Sequence, residues 1–219
     1  MLPFYGRRVV KGTKESDIKV TKDSPFFLFD TKLECFLKSN DFLIKKKNLE
    51  IGFGNGENVI YQSQKYKEEI FLVFDPFLTG CVKLVKKIKA NKIKNIFVSS
   101  LDFFSLFEKI KYFTFSKIFI LFPDPWPKKR HSKRKLVDRD FVEDIELITE
   151  KNSLIIFASD NHAYQEQAMK YFSENENFIN LEKKVNITKF KNIELIETKY
   201  YKKALKKKIR SVFFIFNRR

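Results

Sequence analysis

With 219 residues, 43% of them hydrophobic, the chain is long enough to bury a sizeable core without a second domain. Its formal charge of +17 suits a polyanionic partner, although much of the excess is lysine dispersed among Ile, Phe and Asn. No apolar run reaches bilayer length, the basic N-terminus lacks a signal peptide's apolar segment, and Cys35 and Cys81 form neither a CxxC pair nor a ligand set with His131 and His162. The expectation is a cytoplasmic protein with free thiols, no membrane association, no metal and no obligatory protein partner.

Residues 1–30 are expected to be an irregular basic arm, mobile until a partner binds. Residues 31–219 are expected to form a single α/β domain with a mostly parallel central sheet, helices on both faces and an antiparallel terminal strand. The alternation begins with Leu49 to Phe53, a short buried strand, and continues with a helix from Glu57 to Lys67. Between them lies Glu50-Ile51-Gly52-Phe53-Gly54-Asn55-Gly56, which holds three of the chain's six glycines. Strand, glycine turn and helix in that order mark a nucleotide-binding unit, because glycine permits positive φ and lets a ligand approach the backbone. The next strand, Ile70 to Phe74, ends at Asp75, 19 residues beyond Gly56 and placed to accept from ribose hydroxyls.

Asn95 to Ser99 predicts a third strand. Asp102 after it is either an adenine contact or the N-cap of a helix starting at Phe103. A glycine fingerprint alone fits either a nicotinamide dinucleotide or S-adenosylmethionine. The acids Glu50, Asp75, Asp102 and Asp124 at strand ends favour the second, since a cationic cofactor welcomes carboxylates that a pyrophosphate would repel.

The apolar run Lys117 to Phe122 predicts a buried parallel strand, and the most informative segment follows it. Pro123, Pro125 and Pro127 bar the turn from helix or sheet, so Asp124 and Trp126 must project from a rigid loop at the strand's carboxyl end. Ligands bind at that edge in open α/β sheets. The turn runs directly into Lys128-Lys129-Arg130-His131-Ser132-Lys133-Arg134-Lys135, a block of cations suited to nucleic-acid phosphates. Arginine is scarce, and Arg7, Arg8, Arg130, Arg134, Arg139, Arg210, Arg218 and Arg219 fall at the chain's ends and beside this turn. Trp126 either packs on a base or closes the turn as a structural lid, and His131 reads as a phosphate or positioning contact.

Asp138 to Glu150 shows helical spacing, Ser153 to Ala158 predicts a strand, and His162 to Glu174 a helix. Asp160 before that helix is either a ligand contact or its cap. Ile193 to Tyr201 and Ser211 to Phe216 are expected to pair as terminal strands, joined by a lysine-rich connection around Lys202 to Lys208.

Taken together, these residues resemble the bacterial tRNA (guanine-N7-)-methyltransferases of the TrmB type, within the Rossmann-like class I S-adenosylmethionine-dependent methyltransferases. The match runs from Phe4-Tyr5-Gly6-Arg7-Arg8 through the glycine loop and Pro123 to Leu136, to Ser159-Asp160-Asn161 and Thr198-Lys199-Tyr200. The resemblance implies transfer of a methyl group from S-adenosylmethionine, leaving S-adenosylhomocysteine, to N7 of a guanine in the variable loop of tRNA. It implies cofactor contacts by Glu50, the loop Gly52, Gly54 and Gly56, Asp75, Asp102 and Asp124, with Asp124 also catalytic. It implies substrate contacts by Lys128, Arg130, His131, Ser132, Lys133, Arg134, Lys135, Asp160, Thr198, Lys199, Tyr200 and Tyr201. The chain departs from the family in three places. Asp75 stands where the family has Glu, Tyr201 occupies the position of a family Glu, and a glycine is replaced within Lys206-Lys207-Lys208. Competing readings are a methyltransferase for exocyclic amines and a noncatalytic RNA-binding module on the same fold.

Overall fold

Short runs of Ile, Leu, Val and Phe alternate with amphipathic stretches along this chain, and in the computed structural model they become strands buried on both faces and helices buried on one. The structure describes residues 8–185, 189–190 and 193–219, and the described residues fall into two compact units, 8–110 and 111–219. Phe4 to Arg7, where the resemblance to the family begins, lie outside the described residues.

The first unit carries β1 (Lys47–Ile51), β2 (Ile70–Phe74) and β3 (Ile96–Ser99), parallel and in the order β3-β2-β1. The register sets Ile51 beside Phe74 and Phe74 beside Ser99, so the three carboxyl ends are level. All five residues of β2 are buried. Helices α4 (Glu57–Lys65), α5 (Leu78–Ala90) and α6 (Phe103–Ile110) alternate with the strands. Val59, Phe71, Val73, Leu84, Val85 and Ile88 pack together in the core of this unit, each such burial contributing about 1.5–3 kcal/mol.

The expected irregular arm is corrected in part. Its residues include helix α1 (Glu15–Lys22), tied to α5 by the Lys86–Asp17 ion pair at 2.7 Å, and Phe27 is buried beside Val98, with which it forms a β-bridge. Two further short helices, α2 (Asp30–Leu37) and α3 (Asn40–Ile44), precede β1. Sequence periodicity did not reveal α1, α2 or α3, each only two turns or fewer.

The second unit orders its strands β4 (Phe115–Leu121), β5 (Thr149–Ser159), β9 (Val212–Arg218) and β6 (Phe178–Val185). β4 and β5 are parallel, whereas β9 runs antiparallel to both its neighbours. Helix α7 (Arg139–Leu147) is capped by Asp138, whose carboxylate accepts the Phe141 N–H at 2.9 Å; α8 (His162–Glu174) begins where the sequence predicts.

The terminal strand pair expected from Ile193 to Tyr201 and Ser211 to Phe216 does not form. β9 pairs with β5 and β6 instead, and β8 (Ile193–Glu194) forms a small ladder with β7 (Lys189–Phe190). The supposed lysine-rich connection is largely a helix, α9 (Lys199–Lys206), started by Thr198, whose hydroxyl accepts the Tyr201 N–H at 3.3 Å. Tyr201 and Ala204, three residues apart, supply its buried stripe. It ends in a Schellman turn, with Ile209 N–H bonded to the Ala204 carbonyl and Lys208 N–H to that of Leu205, both at 2.9 Å. Lys208 therefore takes the left-handed position, φ 56°, that a glycine usually fills.

Candidate cofactor and nucleic-acid sites

In the first unit the loop after β1 is held from several sides. The Gly52 N–H extends the ladder to the Phe74 carbonyl at 2.9 Å, and the Lys87 ammonium donates to the Asn55 carbonyl at 2.8 Å. Gly56 precedes α4 at φ 71°, and a Cβ there would meet Leu84 Cδ1 at 2.5 Å. Gly52 has the same backbone sign, φ 74°, but a Cβ would meet nothing within 4 Å. One glycine is required by packing and the other opens space beside the strand end.

Asp75 spends hydrogen bonds on this loop. Its Oδ2 accepts the Gly54 N–H at 3.0 Å and its Oδ1 accepts the Phe77 N–H at 2.9 Å. Asp102 acts as a cap, with Oδ1 accepting the Ser105 N–H at 3.0 Å and Oδ2 the Ser105 hydroxyl at 2.9 Å.

Glu50 is buried at 3% exposure and accepts from Asn58 Nδ2 at 3.1 Å. Burial pushes its carboxyl up to about 8; the Asn58 bond opposes the shift, and the negative charges of Asp75 and Glu57 add to it. It forms no ion pair among the described residues. Sequence reasoning missed Asn58 and Gln62, buried amides one turn apart on α4, with Gln62 Nε2 bonded to Asn58 Oδ1 at 3.3 Å. Two amides at i and i+4 on a helix's core face were the available signal.

In the second unit β4 continues one step beyond its end, where the Phe122 N–H meets the Ala158 carbonyl at 2.8 Å. Phe122 then turns to φ 55° and Trp126 to φ 41°, left-handed conformations that non-glycine residues adopt at a cost of about 1–2 kcal/mol each. Aromatic packing holds the first: Phe122 lies 5.9 Å from Phe213, edge to face, and 6.3 Å from Tyr201. Tyr201 is thus a buried prop behind the turn, at 4% exposure. Desolvation raises its hydroxyl pKa, with Glu197 adding to the shift.

Asp124 projects from the turn. Surrounding atoms desolvate its carboxyl and raise its pKa, although more than a third of the residue's surface stays open to solvent. It has no side-chain hydrogen bond among the described residues. Trp126 packs within its own turn segment: His131 meets its ring edge-on at 5.7 Å, and the Arg134 guanidinium lies 5.0 Å from the ring centroid. The His131 imidazole is kept below its ordinary pKa by desolvation first, then by Arg134, Arg130 and Lys128, so it is neutral at pH 7.

The cationic block forms a 3-10 turn over Lys129–Arg134. Lys128, Arg130 and Lys133 are exposed, while Lys135 is tethered to α8 through Gln167 at 2.8 Å and lies 5.5 Å from the Tyr164 ring centroid. The side chains of Lys129 and Ser132 lie outside the description. Asp160 follows β5 half-exposed, and the cap of α8 is Asn161, whose side chain accepts the Tyr164 N–H at 3.0 Å. Thr198 caps α9; Lys199 and Tyr200 are exposed on its first turn.

Parallel strands, a glycine turn after β1 and acids at strand ends define a Rossmann-like methyltransferase. Solved structures share this fold. One is an rRNA methylase from Streptococcus thermophilus, with TM-score 0.53 and 10% identity, covering 80% of this chain and 87% of that one. Another is a Streptococcus mutans protein in complex with SAH, with TM-score 0.51 and 10% identity, covering 88% and 100%. A family model described as "Putative methyltransferase" matches residues 45–214. The tRNA (guanine-N(7)-)-methyltransferase of Neorickettsia sennetsu is 31% identical over 80% of this chain and 79% of its own length, and that of Wolbachia pipientis wMel is 34% identical over 76% and 72%. The chain belongs to the tRNA (guanine-N7-)-methyltransferase family.

Proposed function

We propose that this protein transfers the methyl group of S-adenosylmethionine to N7 of a guanine in the variable loop of tRNA. The observation that carries the reading is Asp124, a desolvated carboxylate without a hydrogen-bond partner among the described residues, on a proline-fixed turn joined directly to exposed cations.

The first unit fits a cationic cofactor. Glu50 is a buried carboxylate with no ion-pair partner among the described residues, and Gly52 leaves open space at the same strand end. A positively charged amine or sulfonium would repay the desolvation of Glu50, whereas a pyrophosphate would add to it. Asp75 steadies the loop through the Gly54 and Phe77 N–H groups at the strand end where a ribose would lie. When bound, S-adenosylmethionine supplies an electrophilic methyl group.

Guanine N7 offers a free lone pair on its Hoogsteen edge, so no proton has to leave that atom before attack. The demand on the protein is alignment. Positive charge develops on the purine as the methyl arrives, and Asp124 orients the base and stabilises that charge. Lys128, Arg130 and Lys133 hold phosphates, which fixes register without reading sequence. The test is incubation with labelled S-adenosylmethionine and unmodified tRNA, followed by nucleoside analysis. The expected product is 7-methylguanosine; N6-methyladenosine or an N2-methylated guanine as sole product would overturn the proposal.

A further inference from the structure

From Thr198 to Arg219 the sequence holds nine Lys and Arg and no Asp or Glu, against 44 and 27 in the whole chain, so this excess of cations is local. The fold arranges it. Burial of Tyr201 and Ala204 fixes the rotation of α9 and turns Lys202, Lys203 and Lys206 outward. These three form no ion pair among the described residues, as is true also of the exposed Lys83, Lys89 and Lys94; what distinguishes α9 is that its outward cations share one helix face in a segment without acids.

We propose that the outward face of α9 is a docking surface for the tRNA backbone, with Lys202, Lys203 and Lys206 neutralising phosphates. The proposal rests on the substrate class given under the proposed function and adds a surface separate from the cations of residues 128–135. Its position supports it. The inner face of α9 places Tyr201 6.3 Å from Phe122, the residue that opens the Asp124 turn, so a polyanion on the outer face lies about one helix diameter, ~10 Å, from that turn. An acidic membrane is the other polyanion a basic helix can meet, but interfacial helices insert a broad apolar face, whereas α9 buries Tyr201 and Ala204 in its own unit and exposes only Tyr200 and Leu205 among its apolar side chains.

The experiment measures affinity for an unmodified tRNA transcript across a salt series. It compares wild type, the triple variant Lys202→Ala/Lys203→Ala/Lys206→Ala, and a control with the same charge change on exposed lysines of the first unit, Lys83→Ala/Lys89→Ala/Lys94→Ala. The α9 variant is expected to bind at least about tenfold more weakly near 0.15 M salt. Its slope of log affinity against log salt should be shallower by about two to three, near one unit for each lost contact. The control is expected to stay within about twofold of wild type. Equal losses in both variants would reduce the effect to net charge and overturn the proposal; so would an α9 variant with wild-type affinity and slope. Binding of anionic phospholipid vesicles that the α9 variant loses while tRNA affinity stays intact would also overturn it.

Circular dichroism and S-adenosylmethionine calorimetry on the same samples separate a lost contact from a lost fold. Should the alanine variant fail to fold, Lys→Gln at the three positions repeats the test, with Lys→Arg expected to keep wild-type affinity. Parallel nucleoside analysis separates the two readings: lysine-dependent tRNA binding without 7-methylguanosine sinks the proposed function and leaves the surface standing.

Discussion

The glycine loop of the first unit and the proline turn of the second are both rigid, yet they reach rigidity by opposite means. The loop is wired by hydrogen bonds that Asp75 and β2 accept and Lys87 donates, so Asp75 is engaged with the protein's own backbone. The turn is fixed by its prolines and by aromatic packing behind Phe122, and Asp124 is left without a partner among the described residues. A loop that must be shaped before a cofactor arrives gains from a carboxylate bonded to its own backbone. A group that must meet the substrate does not.

The largest expected effect falls on the turn. Asp124→Ala should lower turnover about a hundredfold or more, the scale of a lost electrostatic group, with little change in thermal midpoint because no protein bond is broken. Turnover under saturating tRNA, with a melting curve beside it, measures both. Asp75→Ala should behave in the reverse sense. It strips an acceptor from two backbone N–H groups, so folding stability should drop by about 1–3 kcal/mol in urea titration and cofactor affinity by roughly tenfold. If Asp124→Ala proved as destabilising as Asp75→Ala, the contrast between wired loop and open turn would fail.

Glu50 sharpens the comparison through pH. Its folded pKa near 8 exceeds the ordinary value of 4.5, so between those values the native state holds a proton that the unfolded chain releases. Its contribution to stability is therefore fully present below about 4.5 and is lost as pH rises towards 8. Cofactor affinity should move the other way, increasing up to about pH 8, with proton release detected by calorimetry in buffers of different ionisation enthalpy. Glu50→Gln should flatten both dependences and weaken binding at pH 8 by about tenfold, the worth of one charge-assisted contact. The smallest effect is expected at Lys208. Lys208→Gly should raise stability by up to about 1 kcal/mol, because glycine takes the left-handed position without a Cβ clash. A lower melting temperature would contradict the Schellman assignment.

The first unit's strands and glycine loop were legible within two or three residues, because buried parallel strands announce themselves as bounded apolar runs. Ile70 to Phe74 was placed without error. The proline turn was legible through the rigid geometry of proline itself. The C-terminal region was not. Thr198 to Lys206 contains only Tyr201 and Ala204 as a buried stripe, too sparse to show helical periodicity, and Tyr200-Tyr201 has the composition of a strand. β6 hid for a related reason: Ile179 and Leu181 face outward, so the strand lacks the clean alternation that identifies one. At single residues, the choice between contact and cap at Asp102 depended on Ser105, and at Asp160 the cap fell to its neighbour Asn161. Sequence spacing cannot rank such neighbours.

The chain contains one tryptophan, and it stands at position 126 between a neutral imidazole and a guanidinium. Its ultraviolet emission therefore reports on a single place in the molecule, free of background from other indoles. Protonation of His131 below its lowered pKa should quench that emission, and displacement of Arg134 by an RNA phosphate should shift its wavelength. The turn thus carries its own optical label, and stopped-flow fluorescence can time events at the substrate side without any added dye.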